Sequence, residues 1–172
     1  MEFGPDFWSF IFRWLHVLSG VMWIGLLWYF NFVQVPSMPE IPDDQKPAIS
    51  KVIAPRALFW FRWSAASTIV FGLLVAWMEG YILEALALGL TTNAAEFAII
   101  GFGMWFGLIM MFNVWVIIWP NQQKVLGMKQ AGDEEKKRAA RMALLASRTN
   151  VMLSIPMLFA MLGMRHFAYM IG

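Results

Sequence analysis

His16 and His166 are the only imidazoles in this 172-residue chain, and each has a basic neighbour. Arg13 stands three residues before His16, on the same face of a helix, and Arg165 is adjacent to His166. Gly20, four residues after His16, and Gly163, three before His166, leave room beside each ring. Two imidazoles at one depth on antiparallel helices can hold a haem iron from both faces as axial ligands. The two guanidiniums beside them suit the paired propionates that such a group turns toward the surface, because Arg pairs carboxylates in a bidentate fork. Copper or zinc is a poorer match, since two His without a nearby Cys or carboxylate form a thin ligand set. The same residues also fit a plainer reading. A His near a helix end often rests its polar tip in lipid headgroups, and Arg snorkels there for the same reason.

The elements that position these residues follow from hydropathy. Hydrophobic residues make up 60% of the chain and charged ones 14%, against about 25% charged in a soluble domain. The chain has ten Trp, fifteen Phe and fourteen Met but no Cys, which excludes disulfides, thiolate metal sites, Fe–S clusters, a Cys nucleophile and covalently attached c-type haem. Crossing about 30 Å of hydrocarbon takes about 20 apolar residues. Four segments qualify, at about 14–35, 57–78, 97–119 and 143–164. The expectation is an all-α, integral membrane four-helix bundle forming a single transmembrane domain over 1–172. The chain starts acidic (Glu2, Asp6), unlike the basic start of a secretory signal, so the first segment is read as helix one.

Pro36, Pro39, Pro42, Pro47 and Pro55 predict a broken loop between the first two helices, and Tyr81–Leu90 a segment at the membrane interface. The third connection, Pro120 to Met142, ends in the charged start of helix four. Eleven of the thirteen Lys and Arg residues fall in the first and third loops and the adjoining helix entries; Arg13 and Arg165 alone lie on the other side. Cytoplasmic loops carry the Lys/Arg excess, so both termini are expected on the outer, periplasmic side. Topology and lipid headgroups account for this basic stripe, and no nucleic-acid partner is expected.

Other residues invite weaker readings. Trp23, Trp28, Tyr29, Trp105 and Trp115 have the placement to line a cofactor pocket, although belts and bundle packing explain most such aromatics. Gly103 and Gly107 form a small-x-x-x-small pair that permits close helix packing. Arg62, Asn113, Asn31 and Asn150 mark either interhelical hydrogen bonds or a polar cavity in the cytoplasmic half. No nucleophilic triad, phosphate loop or metalloprotease motif is present.

Three blocks resemble a known family. Trp14-Leu15-His16-Val17-Leu18-Ser19-Gly20-Val21-Met22-Trp23-Ile24-Gly25-Leu26-Leu27 followed by Tyr29-Phe30-Asn31-Phe32-Val33, Pro55-Arg56-Ala57-Leu58-Phe59-Trp60-Phe61-Arg62-Trp63 and Ser147-Arg148-Thr149-Asn150-Val151-Met152-Leu153-Ser154-Ile155-Pro156-Met157-Leu158-Phe159 are similar to the membrane domain of the PuuD-type urate oxidases (urate hydroxylases). The chain also looks like the four-helix, haem-binding protoporphyrinogen oxidases of the HemJ type. The first resemblance implies a bacterial inner-membrane oxidoreductase that passes electrons from urate to a periplasmic cytochrome c, a domain that follows the membrane region in fused members. This sequence departs from that family in having four spans, fewer than its membrane domain, and no cytochrome domain. The resulting expectation is a redox protein with non-covalent b-type haem, ligated by His16 and His166, with Arg13, Arg165, Gly20, Gly163 and Trp23 around it. A homodimer is required if each His comes from a different protomer. A protoporphyrinogen oxidase and a cofactor-free accessory subunit of a larger membrane complex are the alternatives.

Overall fold

The computed structural model describes the backbone at residues 4–91 and 95–171, and side chains at residues 4–91 and 97–163. In chain order the helices are α1 (Pro5–Tyr29), α2 (Val35–Ser37), α3 (Lys46–Ala48), α4 (Ala54–Met78), α5 (Ile82–Leu86), α6 (Ala95–Phe112), α7 (Trp119–Val125) and α8 (Asp133–Ile171). No strand occurs among the described residues. Three π-helical segments join neighbouring helices without a break: Phe30–Gln34 between α1 and α2, Ile49–Ile53 between α3 and α4, and Asn113–Ile118 between α6 and α7. Four helices result that are long and apolar enough to cross a membrane: Pro5–Ser37, Lys46–Met78, Phe97–Val125 and Asp133–Gly163.

Each π segment ends two residues before a proline, at Pro36, Pro55 and Pro120. A proline ring collides with the carbonyl four residues earlier and supplies no N–H to it. Those carbonyls belong to Phe32, Lys51 and Val116, each inside a π segment. Widening the turn to an i→i+5 pattern just before the ring accommodates the collision without ending the helix. The proline-rich stretch is therefore less broken than its composition predicts: the second span starts at Lys46 and runs through Pro47 and Pro55. The fourth also starts earlier than hydropathy places it, because Asp133, Glu134 and Glu135 occupy the first turn of α8, where a helix dipole favours anions.

Inside the bundle α1 lies along α4, and α6 lies along α8. Trp23, Leu27, Phe61, Met110 and Val114 fill the shared core, each essentially inaccessible. The outer faces are apolar as well: Val21 and Trp77 are both 68% exposed and Met152 is 74% exposed. A soluble monomer rarely presents a continuous apolar exterior, whereas hydrocarbon solvates one at no cost. Gly103 and Gly107 pack as their spacing predicts. A Cβ on Gly103 would stand 3.2 Å from Ala160 Cβ, and one on Gly107 would stand 3.4 Å from Ile69 Cδ1.

The interfacial segment folds as α5 and docks on α6. The Trp105 indole donates to Leu86 O at 3.1 Å, Tyr81 stacks on Phe97 with centroids 6.2 Å apart, and the Thr91 hydroxyl bonds the Glu84 carboxylate. Gly101 is the closest contact of this dock, since a Cβ there would fall 2.1 Å from Ala85 O.

Candidate functional site

His16 projects from α1 toward α4. Its Nδ1 lies 2.8 Å from the carbonyl oxygen of Thr68, which can only accept, so Nδ1 carries the proton and Nε2 keeps its lone pair. Facing the ring is Gly72, one helical turn beyond Thr68. A Cβ at Gly72 would stand 2.8 Å from His16 Cε1 and 2.9 Å from Nδ1, so the ring occupies space that only glycine leaves open. A Cβ at Gly20 would meet only Thr68 Cγ2, at 3.8 Å, an ordinary contact, and would not reach the ring; the room beside His16 is left by Gly72 and not by Gly20. Thr68 and Ser64 are buried beside it, and their hydroxyls bond backward along α4, to Ser64 O at 2.7 Å and Phe61 O at 3.1 Å. No competing side-chain donor or acceptor from that turn is directed at the imidazole by these bonds.

A metal-bound imidazole characteristically donates its other N–H to a carbonyl or carboxylate, which fixes ring orientation and raises ligand basicity. His16 meets that requirement, so the residues present fit a haem ligated through Nε2. Trp23, two turns further along α1, is fully buried in the core, and its indole Nε1 has no hydrogen-bond partner. Arg13 forms an ion pair: its Nη2 lies 2.9 Å from Glu79 Oε1, which also accepts from the Ser9 hydroxyl at 2.5 Å. Hydropathy and spacing gave no role to Glu79, which follows the last residue of α4 and brings a carboxylate to the N-terminal half of α1. Gly163 is buried in α8. Arg165 and His166 lie on the helical backbone of α8 but outside the residues whose side chains are described, and so does any pairing of the two imidazoles.

Of the polar residues in the other half, Asn31, Asn113 and Asn150 make interhelical hydrogen bonds, and Asn31 also lines a cavity. Asn113 Nδ2 donates to Asn150 Oδ1 at 2.8 Å, and Asn150 Nδ2 donates to Met110 O at 3.0 Å. Asn31 Nδ2 reaches both Leu27 O at 2.8 Å and Ser147 Oγ at 2.7 Å, and Trp28 donates to Ser154 Oγ at 3.1 Å. Ser147, Asn150 and Ser154 thus form one polar seam on α8. The Arg62 guanidinium stands over Trp119, its Cζ 3.2 Å from the ring centroid, and its Nε donates to Leu58 O at 3.2 Å. Trp115 stacks edge-on against Trp63, with centroids 5.4 Å apart.

A cavity of about 290 Å³ opens at this same end, between all four spans, with walls from the three π segments. Asn31 and Gln34 line it; Ser50, Gln122 and Ser147 complete its polar lining. The sequence signals for this site were Asn31 and the prolines, but a cavity depends on how four helices meet and no single segment encodes it.

The family model described as Urate oxidase N-terminal matches residues 81–172, which carry α5 through α8. That range includes Ser147–Phe159, one of the three resembling blocks, and leaves His16 outside. No curated protein and no solved structure matches the chain.

Proposed function

Because the chain belongs to the urate oxidase N-terminal family, we propose that it is a redox protein of the bacterial inner membrane that holds a b-type haem on His16. Haem held there would supply the one-electron chemistry for oxidising a urate-like substrate, with a c-type cytochrome on the periplasmic side as the electron partner. The bond from His16 Nδ1–H to Thr68 O carries this reading, because it leaves Nε2 as the free donor atom of the only imidazole with a described side chain. When bound, haem supplies one-electron chemistry whose potential depends on the axial ligands. The chain's own residues supply the rest. Thr68 O holds the proton on Nδ1 and sets the plane of the ring; Gly72 keeps the space that the ring fills. His166 is the second ligand in this proposal, and Arg165 a propionate partner.

Arg13 is held in place by Glu79, which neutralises part of its charge and orients its remaining N–H groups. A pair this exposed is worth at most about 1 kcal/mol, so an incoming carboxylate competes for Arg13 at small cost. The Lys/Arg excess supports an arrangement with both termini outside, which puts this end of the bundle at the periplasmic surface.

The test is the visible spectrum of the detergent-purified protein, oxidised and dithionite-reduced, beside His16→Ala and His166→Ala. The expected result is a Soret band with sharp reduced α and β bands, lost or converted to a high-spin form in either variant. Purified protein without bound haem, despite ample haem during expression, overturns the reading.

A further inference from the structure

Arg62 is a half-buried cation on α4 with no acidic partner among the described residues, whose ion pairs engage Arg13, Lys46, Lys124 and Lys137. Of the five N–H donors on its guanidinium, Nε alone is spent within the chain, on Leu58 O. The Trp119 ring covers one face of the group, and the Trp115 centroid lies 5.7 Å from Cζ. A stacked ring occupies the face of a guanidinium and leaves its edge open, so the Nη donors stay free in the plane. Arg62 keeps accessible surface, so a ligand can reach that edge. Trp119 sets its depth, since it closes the apolar run of the third span just before Pro120 and the polar stretch 121–124. The guanidinium therefore stands at the boundary of hydrocarbon and headgroups on the Lys/Arg-rich side, a level that Trp commonly marks. The surface around it is apolar. Phe59, Trp60 and Trp63 are all about half exposed, and Trp63 meets Trp115 edge-on.

We propose that Arg62, backed by Trp119, binds the phosphate of an anionic phospholipid in the leaflet on the Lys/Arg-rich side. A phosphodiester offers two unesterified oxygens, which match the fork of N–H groups along a guanidinium edge. The apolar surround decides for a lipid over a free anion. Acyl chains lie against Phe59, Trp60 and Trp63 at no cost, whereas a soluble phosphate ester gives up hydration there for a single contact. Net charge decides among lipids. An anionic one neutralises a cation that the chain leaves unpaired, while a zwitterionic amine headgroup brings a second cation to it. The Lys/Arg excess on that side draws anionic lipids to the same surface. Trp119 is a positioning residue, since its ring fixes the plane of the guanidinium. The proposal goes beyond the haem reading and does not depend on it.

Native mass spectrometry of the full chain, delipidated in dodecyl maltoside and titrated with dioleoylphosphatidylglycerol, tests it. Dioleoylphosphatidylethanolamine is the zwitterionic probe and glycerol 3-phosphate the chain-free one. Phosphatidylglycerol is expected to bind about tenfold tighter than either. Arg62→Gln weakens that binding about tenfold, and Arg62→Lys, which keeps the charge but loses the fork, weakens it several-fold. Trp119→Leu weakens it with the guanidinium still present. Lys129→Gln removes the same charge from the connection between α7 and α8 and leaves binding unchanged. Far-ultraviolet circular dichroism equal to that of the parent shows that each variant keeps its helices. Glycerol 3-phosphate binding as tightly as the lipid marks a free-anion site, and equal binding of phosphatidylethanolamine marks a site blind to net charge. Either result overturns the proposal, as does unchanged binding by Arg62→Gln or an equal loss in Lys129→Gln.

Discussion

At the scale of single residues, the two most informative atoms are ones that no side-chain inventory contains. Thr68 contributes a backbone oxygen and Gly72 contributes the lack of a Cβ, and together they set the His16 ring. The sequence put His16 and Arg13 on one face, because their spacing on one helix is fixed by 3.6 residues per turn. It gave no sign of Thr68 or Gly72, since their depth relative to His16 depends on how α4 slides along α1. Gly72→Ala separates this geometry from mere helix packing: the new methyl must displace the ring, so the haem spectrum expected of the proposed site shifts or is lost while far-ultraviolet circular dichroism remains helical. Asn150 belongs to the same scale. It is fully buried, and truncation to Ala leaves the Asn113 amide and Met110 O without their partner. Asn150→Ala is expected to destabilise the bundle by about 1–2 kcal/mol, measured by denaturant unfolding in micelles.

At the scale of elements, hydropathy found all four spans and placed their apolar centres. It missed their ends, because a helix continues past the hydrocarbon wherever water or headgroups can solvate its side chains. The acidic first turn of α8 and the restart at Lys46 are both of this kind. Pro36 and Pro55 were read as part of a broken loop, whereas the chain absorbs both, and Pro120 as well, by widening the preceding turn. The dock of α5 on α6 depends on Gly101, where a Cβ would meet the Ala85 carbonyl rather than a flexible side-chain tip. Gly101→Ala is therefore expected to push α5 away at a cost of about 1–3 kcal/mol. Faster cleavage within residues 79–91 under limited proteolysis, with the remaining spans intact, is the result that checks it.

For the molecule as a whole, the charge asymmetry supports the proposed orientation, with both termini outside, which side-selective labelling can measure. The chain has no Cys, so a single introduced thiol reports without background. Leu90, 82% exposed, follows α5, and Lys129 lies in the connection between α7 and α8. In intact cells a membrane-impermeant maleimide that passes the outer membrane is expected to label Leu90→Cys, and to reach Lys129→Cys only after the inner membrane is opened. The reverse pattern would place the His16 end at the cytoplasm and move the electron partner with it. The widened turns have a consequence of a different kind. A π segment carries one residue more than the α-helical turn it replaces, so losing one residue there lets the helix close into regular form while both flanking faces keep their bearing. The same loss within α1 or α6 would turn every later side chain by about 100° and point core residues at lipid. The three π segments are thus the places where this bundle can change length by one residue, and its cavity can be reshaped by deletion while the His16 end stays as it is.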